Sequence, residues 1–228
     1  MITVATVTKP AARWALRDTV HDAILEMLLA EHLEPGAPLR IDTIAKALDV
    51  SPTPVREALV EIEATGLIKR TALKGYRVAE PLSRTEFGKL MTVRVLLEPV
   101  ATREAFDARG ESLAVDLGRV MARQREAAVV GLDTDEGLRA YLRADIDFHN
   151  VILENCGNSF LQRAVQSMGG HFHRFRDLYE GRSDSDAALA EHQAVVDAFL
   201  AGNAAQAETA MAKHLKAVAV RVQQTGDK

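Results

Sequence analysis

The sequence is poor in several things, and each shortage closes off a class of protein. Its 228 residues include one cysteine, Cys156. Neither an internal disulfide nor a cysteine cage for zinc can be built, which suits a reducing compartment. Aromatic residues make up 5%, and Ala, Leu, Glu and Arg dominate, so a sheet-rich fold is not expected. No apolar run approaches the roughly 20 residues a membrane helix requires, and Met1–Pro10 lacks the apolar block of a secretory signal. A cytoplasmic protein with no membrane partner is expected. Net charge is -4, so no global positive excess announces a nucleic-acid partner. What is present, 47% hydrophobic and 26% charged residues, is ordinary globular composition, with chain enough for one large domain or two modest ones.

Proline divides the chain. Five of the seven prolines fall between Pro10 and Pro54, and beyond Glu80 only Pro81 and Pro99 remain. Segments are short and turn-rich before that point and long and helical after it. A boundary is therefore expected at Glu80-Pro81-Leu82, giving domains over 1–80 and 81–228, with Ser83 as N-cap of the next helix. In the first domain the periodicity predicts helices over Arg13–His32, Asp42–Leu48 and Pro52–Thr65. Two short strands follow, Leu67–Thr71 and Tyr76–Ala79, joined through Lys74-Gly75. Three helices and a hairpin make a winged helix-turn-helix. The second domain breaks at Gly and Asn into about six helices: Ser83–Arg109, Glu111–Val130, Asp133–Cys156, Ser159–Glu180, Asp184–Ala201 and Ala204–Gln223. The fold class is mainly α, a winged helix-turn-helix followed by an all-helical antiparallel bundle.

The run Ser51-Pro52-Thr53-Pro54-Val55-Arg56-Glu57-Ala58-Leu59 carries the first functional signal. Proline is tolerated in the first turn of a helix, where its missing N–H would be unpaired anyway. Pro52 and Pro54 thus fix the helix start at Ser51. The hydroxyls of Ser51 and Thr53 and the free amides then lie at a positive helix end suited to phosphate, while Arg56, one turn in, reaches a guanine edge or a backbone oxygen. Residues 1–80 carry ten Lys and Arg against eleven Asp and Glu, yet Lys69, Arg70, Lys74 and Arg77 fall in nine residues without an acid. That is a basic hairpin tip, and Gly75 lets its backbone approach a partner closely.

These residues, with Pro35-Gly36, Ile44-Ala45, Leu48-Asp49-Val50, Gly66-Leu67-Ile68 and Gly75-Tyr76-Arg77-Val78, closely resemble the GntR family of bacterial transcription regulators over nearly all of 13–80. The resemblance implies binding to double-stranded DNA at a palindromic operator, with Ser51, Thr53 and Arg56 contacting DNA from the recognition helix and Gly75 from the wing tip, where the basic run adds Lys74. Two positions depart from the family pattern. Pro52 stands where many members have Arg, and Ile41-Asp42 where they have an acidic-then-basic pair.

In the helical domain the informative residues are polar ones on apolar stripes. Asp145 and His149 are four apart on a face with Leu138, Tyr141, Leu142, Ile152 and Leu153, so they stack and point inward. A buried carboxylate is costly unless paired or metal-bound. His192 shares a face with Ala188, Val195 and Phe199, and His214 with Ala207, Met211, Leu215 and Val218. The turn Gly202-Asn203 lies between them, so in a helix hairpin they meet at equal depth. Three imidazoles and a carboxylate form a divalent metal site compatible with Zn, Ni or Mn. His171 and His173, two apart, cannot share a face and read as bordering or exposed. Arg94 lies on the inward stripe with Phe87, Leu90, Met91 and Leu97. Two readings stand open, an internal salt bridge with Glu98 at i+4 and a guanidinium clamping a carboxylate ligand.

Arg94, Leu97-Glu98, Asp145, Phe148-His149, Leu153, Gly157-Asn158, Glu191-His192, Met211 and His214-Leu215 resemble the FCD ligand-binding domain of FadR-type regulators over most of 83–220. That resemblance implies Asp145, His149, His192 and His214 as metal ligands, Arg94 facing a small organic-acid effector, and a homodimer. The whole reads as a metal-dependent, effector-responsive repressor of organic-acid or sugar-acid catabolism genes. An enzyme is not expected, since no inward carboxylate beyond Glu98 is spare and no nucleophile–His–acid arrangement occurs. The alternatives are a metal-dependent enzyme acting on a small carboxylate and a DNA-binding protein with a purely structural metal.

Overall fold

Short polar residues and proline mark the start of several helices of this chain. The computed structural model describes residues 19–25, 27–28, 33–179 and 185–224. The chain divides into two compact units, Met1–Glu80 and Pro81–Lys228. Helix α1 is described over 19–25 and 27–28, and the remainder of the expected Arg13–His32 helix lies outside the described residues. There follow β1 (Pro38–Leu39), α2 (Ile41–Ala47), α3 (Pro52–Glu63), β2 (Ile68–Thr71) and β3 (Gly75–Val78). Ser51 is the N-cap of α3, with extended backbone and Pro in the first turn. Val55, Ala58, Leu59 and Ile62 form its buried face, packed with Val20, Ile24, Leu28, Ile44 and Val78.

The wing differs from expectation by one strand. Pro38–Leu39, assigned to no strand by the sequence pattern, pairs antiparallel with β3, giving the order β1-β3-β2. Proline is tolerated there because β1 is an edge strand, and a two-residue strand is too short to leave a period-2 signature. β2 pairs with β3 from Ile68↔Val78 to Thr71↔Gly75.

The second unit is built from α4 (Arg84–Arg109), α5 (Ser112–Val130), α6 (Asp135–Asn155), α7 (Ser159–Tyr179), α8 (Ser185–Leu200) and α9 (Ala204–Gln224). Ser83 opens α4 with a full capping box: its hydroxyl accepts from the Glu86 amide, and Glu86 accepts from the Ser83 amide. Thr134 caps α6 through the Gly137 amide. The α8–α9 turn uses Gly202 at φ 67, where a β-carbon would be strained, and Asn203 caps α9 through the Gln206 amide. Helix α4 packs on α9, α6 and α7, while α5 packs on α6 and α8, and α8 on α9. Their apolar stripes make one continuous core from Phe87 to Val222. No helix among the described residues is long and apolar enough to cross a membrane.

Candidate metal centre and nucleic-acid interface

Among the described residues, eight buried polar or charged side chains interrupt the cores, all in the second unit: Arg94, Glu98, Thr102, Gln124, Asp145, His149, His192 and His214. Helical spacing brings them inward. On α6, Tyr141, Ala144, Asp145, Phe148, His149, Ile152 and Leu153 are all buried, following i, i+3, i+4. His192 comes from the buried face of α8 and His214 from that of α9. One nitrogen from each of His149, His192 and His214 lies within 4.8 Å of the others. The ring of His192 stacks on Phe148 at 4.1 Å between centroids, so an apolar wall fixes its plane.

The ring nitrogens are oriented from behind. His214 Nδ1 lies 2.9 Å from Glu191 Oε2, and Arg221 grips the same carboxylate at 2.6 and 2.9 Å. Burial alone would raise the Glu191 carboxyl, but the bonds from Arg221 and His214 hold it down at about 2. It is therefore an acceptor, and His214 carries its proton on Nδ1. Burial lowers the pKa of His214, with Glu191 opposing, which favours the neutral ring that a cation needs. His192 Nδ1 lies 3.0 Å from Gln124 Oε1, and Gln124 Nε2 donates to Asp145 Oδ1 at 3.3 Å.

The residues fit a cation. The Nε2 atoms of His192 and His214 face each other at 3.2 Å. Two imidazole nitrogens on one tetrahedral zinc, each 2.0–2.1 Å from it, would stand about 3.3 Å apart. His149 Nε2 is buried and makes no hydrogen bond with the described residues, a costly arrangement unless something else takes its lone pair. Asp145 Oδ1 is 3.8 Å from His192 Nε2. It lies beside the three-nitrogen set rather than within it, tied to Gln124.

Arg94 and Glu98 form a buried ion pair. Arg94 Nε and Nη2 both reach the Glu98 carboxylate, the second at 3.2 Å, and Glu98 Oε2 lies 2.7 Å from His149 Nδ1. Burial pushes the Glu98 carboxyl up, while Arg94 and then His149 bring it down to about 2. Of the two readings open for Arg94, the structure contains the internal salt bridge. Asp147, off the inward stripe, pairs with Arg123 at 2.9 Å. His171 is half-buried, and the side chains of His173 and Arg174 lie outside the described residues.

In the first unit the structure leaves Ser51, Thr53 and Arg56 exposed at the start of α3. Ser51 makes no capping bond with its side chain, so its hydroxyl is available to a partner. At the wing tip Leu73 and Gly75 both take positive φ, 62 and 74, and Lys74 and Gly75 are exposed. The basic tip is thinner than the sequence suggests. Arg77 donates to the Gly36 carbonyl at 2.7 Å and Lys69 lies 3.9 Å from Glu80.

Gln124 and Glu191 stand behind the histidines, although the sequence pattern assigns them no role at the site. Gln124 was detectable in principle, since Leu117, Val120, Met121 and Ala127 share its inward stripe. Glu191 had no such signal, because it is half-buried at the stripe's margin.

A winged helix-turn-helix joined to a helical unit with a buried histidine cluster is the architecture of a DNA-binding transcription regulator. Residues 16–78 match the family model described as bacterial regulatory proteins, gntR family, and 89–217 match the FCD domain. The chain belongs to the GntR family of regulators that carry an FCD domain. It is 29% identical over 210 residues to a probable D-xylose utilization operon transcriptional repressor of Paenarthrobacter nicotinovorans, covering 92% of this chain and 90% of that one. It is 28% identical to the HTH-type transcriptional regulator LutR of Bacillus subtilis, over 83% of this chain and 93% of that one. Among solved structures, E. coli McbR/YncC is similar with a TM-score of 0.73 at 19% identity, over 92% of this chain and 98% of that one.

Proposed function

We propose that this regulator is a cytoplasmic homodimeric repressor whose helical domain holds a divalent metal and responds to a small organic acid. The observation that carries this reading is the convergence of three buried histidine nitrogens within 4.8 Å, with one Nε2 left without a hydrogen bond. His149, His192 and His214 hold the ion, with Asp145 beside them as the fourth ligand that binding would draw in. When bound, the ion supplies a Lewis-acid contact for a carboxylate oxygen.

Arg94 offers the second contact. A carboxylate effector competes with Glu98 for the guanidinium, and Glu98 also faces His149 Nδ1. Displacing Glu98 therefore acts on the ligand set as well as on Arg94, which couples effector to metal. Sugar acids and other organic acids are the effector class, since an anion is what competes with Glu98 for the guanidinium. Ser51, Thr53 and Arg56 read the major groove of a palindromic operator, with Lys74 and Gly75 on the backbone. A regulatory effect requires that the acid bind the DNA-free and DNA-bound forms unequally.

The test is an operator gel shift against a panel of sugar acids and small carboxylates, with and without chelator. Release by one acid, lost on chelation and in Arg94→Ala, is expected. Operator affinity unchanged by every acid and by chelator would overturn the switch. A second reading, a structural metal without an effector, is favoured by the Arg94–Glu98 pair itself, since it gives the guanidinium an internal anion. It predicts metal uptake with no response to any acid.

A further inference from the structure

Gln124 of α5 is fully buried, and its amide touches two of the four groups around the cation site, on two other helices. We infer that Gln124 is a positioning residue that transmits the charge of Asp145 to the tautomer of His192 and so sets the lone pair that faces the metal. This role rests on the metal reading above.

Each link follows from donor and acceptor chemistry. An ionised carboxylate only accepts, so Asp145 Oδ1 takes the –NH2 end of the Gln124 amide, 3.3 Å away. The amide is rigid, and its oxygen is thereby turned to His192 Nδ1 at 3.0 Å. A carbonyl oxygen only accepts, so the proton of a neutral His192 stays on Nδ1, leaving Nε2 a bare lone pair. That Nε2 is the atom 3.2 Å from His214 Nε2. His214 reaches the same tautomer directly, through Glu191 and its Arg221 clamp. The two histidines are thus set by different devices: one has a carboxylate behind it, the other an amide leaning on a carboxylate. With the amide reversed, an N–H would point at Nδ1, the proton would move to Nε2, and the cation site would face a donor. Asp145 opposes that reversal because it would then meet the amide oxygen.

Partners behind metal-bound histidines typically change metal affinity by 10- to 100-fold. The test uses the full-length protein in two forms, metal-free and zinc-titrated against a chromophoric chelator, with long-range 1H–15N spectra of the histidine rings. Wild type is measured first. If it takes up no zinc, the metal reading fails, while the metal-free spectra still report on Gln124. Gln124→Met, which keeps volume and loses both bonds, is expected to bind zinc about 10- to 100-fold more weakly and to lose the Nδ1–H preference of His192 but not of His214. Gln124→Glu keeps the acceptor and is expected to retain the Nδ1–H tautomer. It also gives a readout if the methionine variant does not fold. Zinc affinity within twofold of wild type in Gln124→Met, an unchanged His192 tautomer there, or an Nε2–H tautomer in Gln124→Glu would each overturn the inference.

Discussion

The two units place chemistry in opposite ways. In the first, the residues assigned to DNA are exposed and local: Ser51, Thr53 and Arg56 fall within six positions at one helix start, and Lys74 and Gly75 in one turn. In the second, the candidate site is interior and assembled from α4, α5, α6, α8 and α9 over more than a hundred positions. A surface site of short range can change its side chains while the core beneath α3 stays intact. An interior site is part of the packing, so its residues carry stability and function together. This contrast separates the consequences of mutation.

The largest effect is expected at the buried ion pair. Arg94→Met leaves the Glu98 carboxylate buried without its guanidinium, and should cost about 3–5 kcal/mol in urea unfolding of the full chain. Replacing both, Arg94→Met with Glu98→Leu, should cost much less, because no charge is then left alone. Equal losses in the single and double variants would show that the ion pair is not the source.

Metal should come next. Zinc at 100 times its dissociation constant stabilises the folded state by about 2.7 kcal/mol, read as a rise in melting temperature that chelator reverses. His214→Ala should abolish the rise, and Arg56→Ala should leave it intact. Arg56→Ala in turn should weaken operator binding by about 1–3 kcal/mol and move stability by less than about 0.5 kcal/mol. Gel shifts and unfolding on the same preparations check both halves of the contrast.

The smallest effect belongs to the boundary. Ser83→Ala removes the capping box of α4 and should cost about 1 kcal/mol by thermal unfolding. The Ser83 hydroxyl and amide lower the Glu86 pKa from 4.5. A depressed carboxyl stabilises above its unfolded value and loses that contribution as pH falls. The capping contribution should therefore be complete above pH 4.5 and fade in acid, and Ser83→Ala should flatten that dependence.

Much of this architecture is readable without coordinates, and the reasons differ by region. Pro52 and Pro54 set the start of α3 because proline acts on its own backbone. Ser83, Gly202 and Asn203 work the same way at α4 and at the α8–α9 turn. The interior histidines are visible because a polar residue on an apolar stripe violates the helical pattern. What escapes is whatever depends on a neighbour far along the chain. Strand β1 is two residues long and exists through its pairing with β3. The basic wing tip is reduced by Gly36 and Glu80. Gln124 gains meaning only once α5 lies against α6 and α8.

The amino-acid order alone determined the two-part plan, the helix ends and the inward orientation of Asp145, His149, His192 and His214, because torsional limits and 3.6-residue periodicity are local. Only the folded molecule decided that Arg94 spends its charge on Glu98, that Glu191 and Gln124 stand behind the histidines, and that the two Nε2 atoms meet at 3.2 Å. Those are matters of which helix lies beside which, and of ångström-scale distances between side chains, which no one-dimensional period encodes.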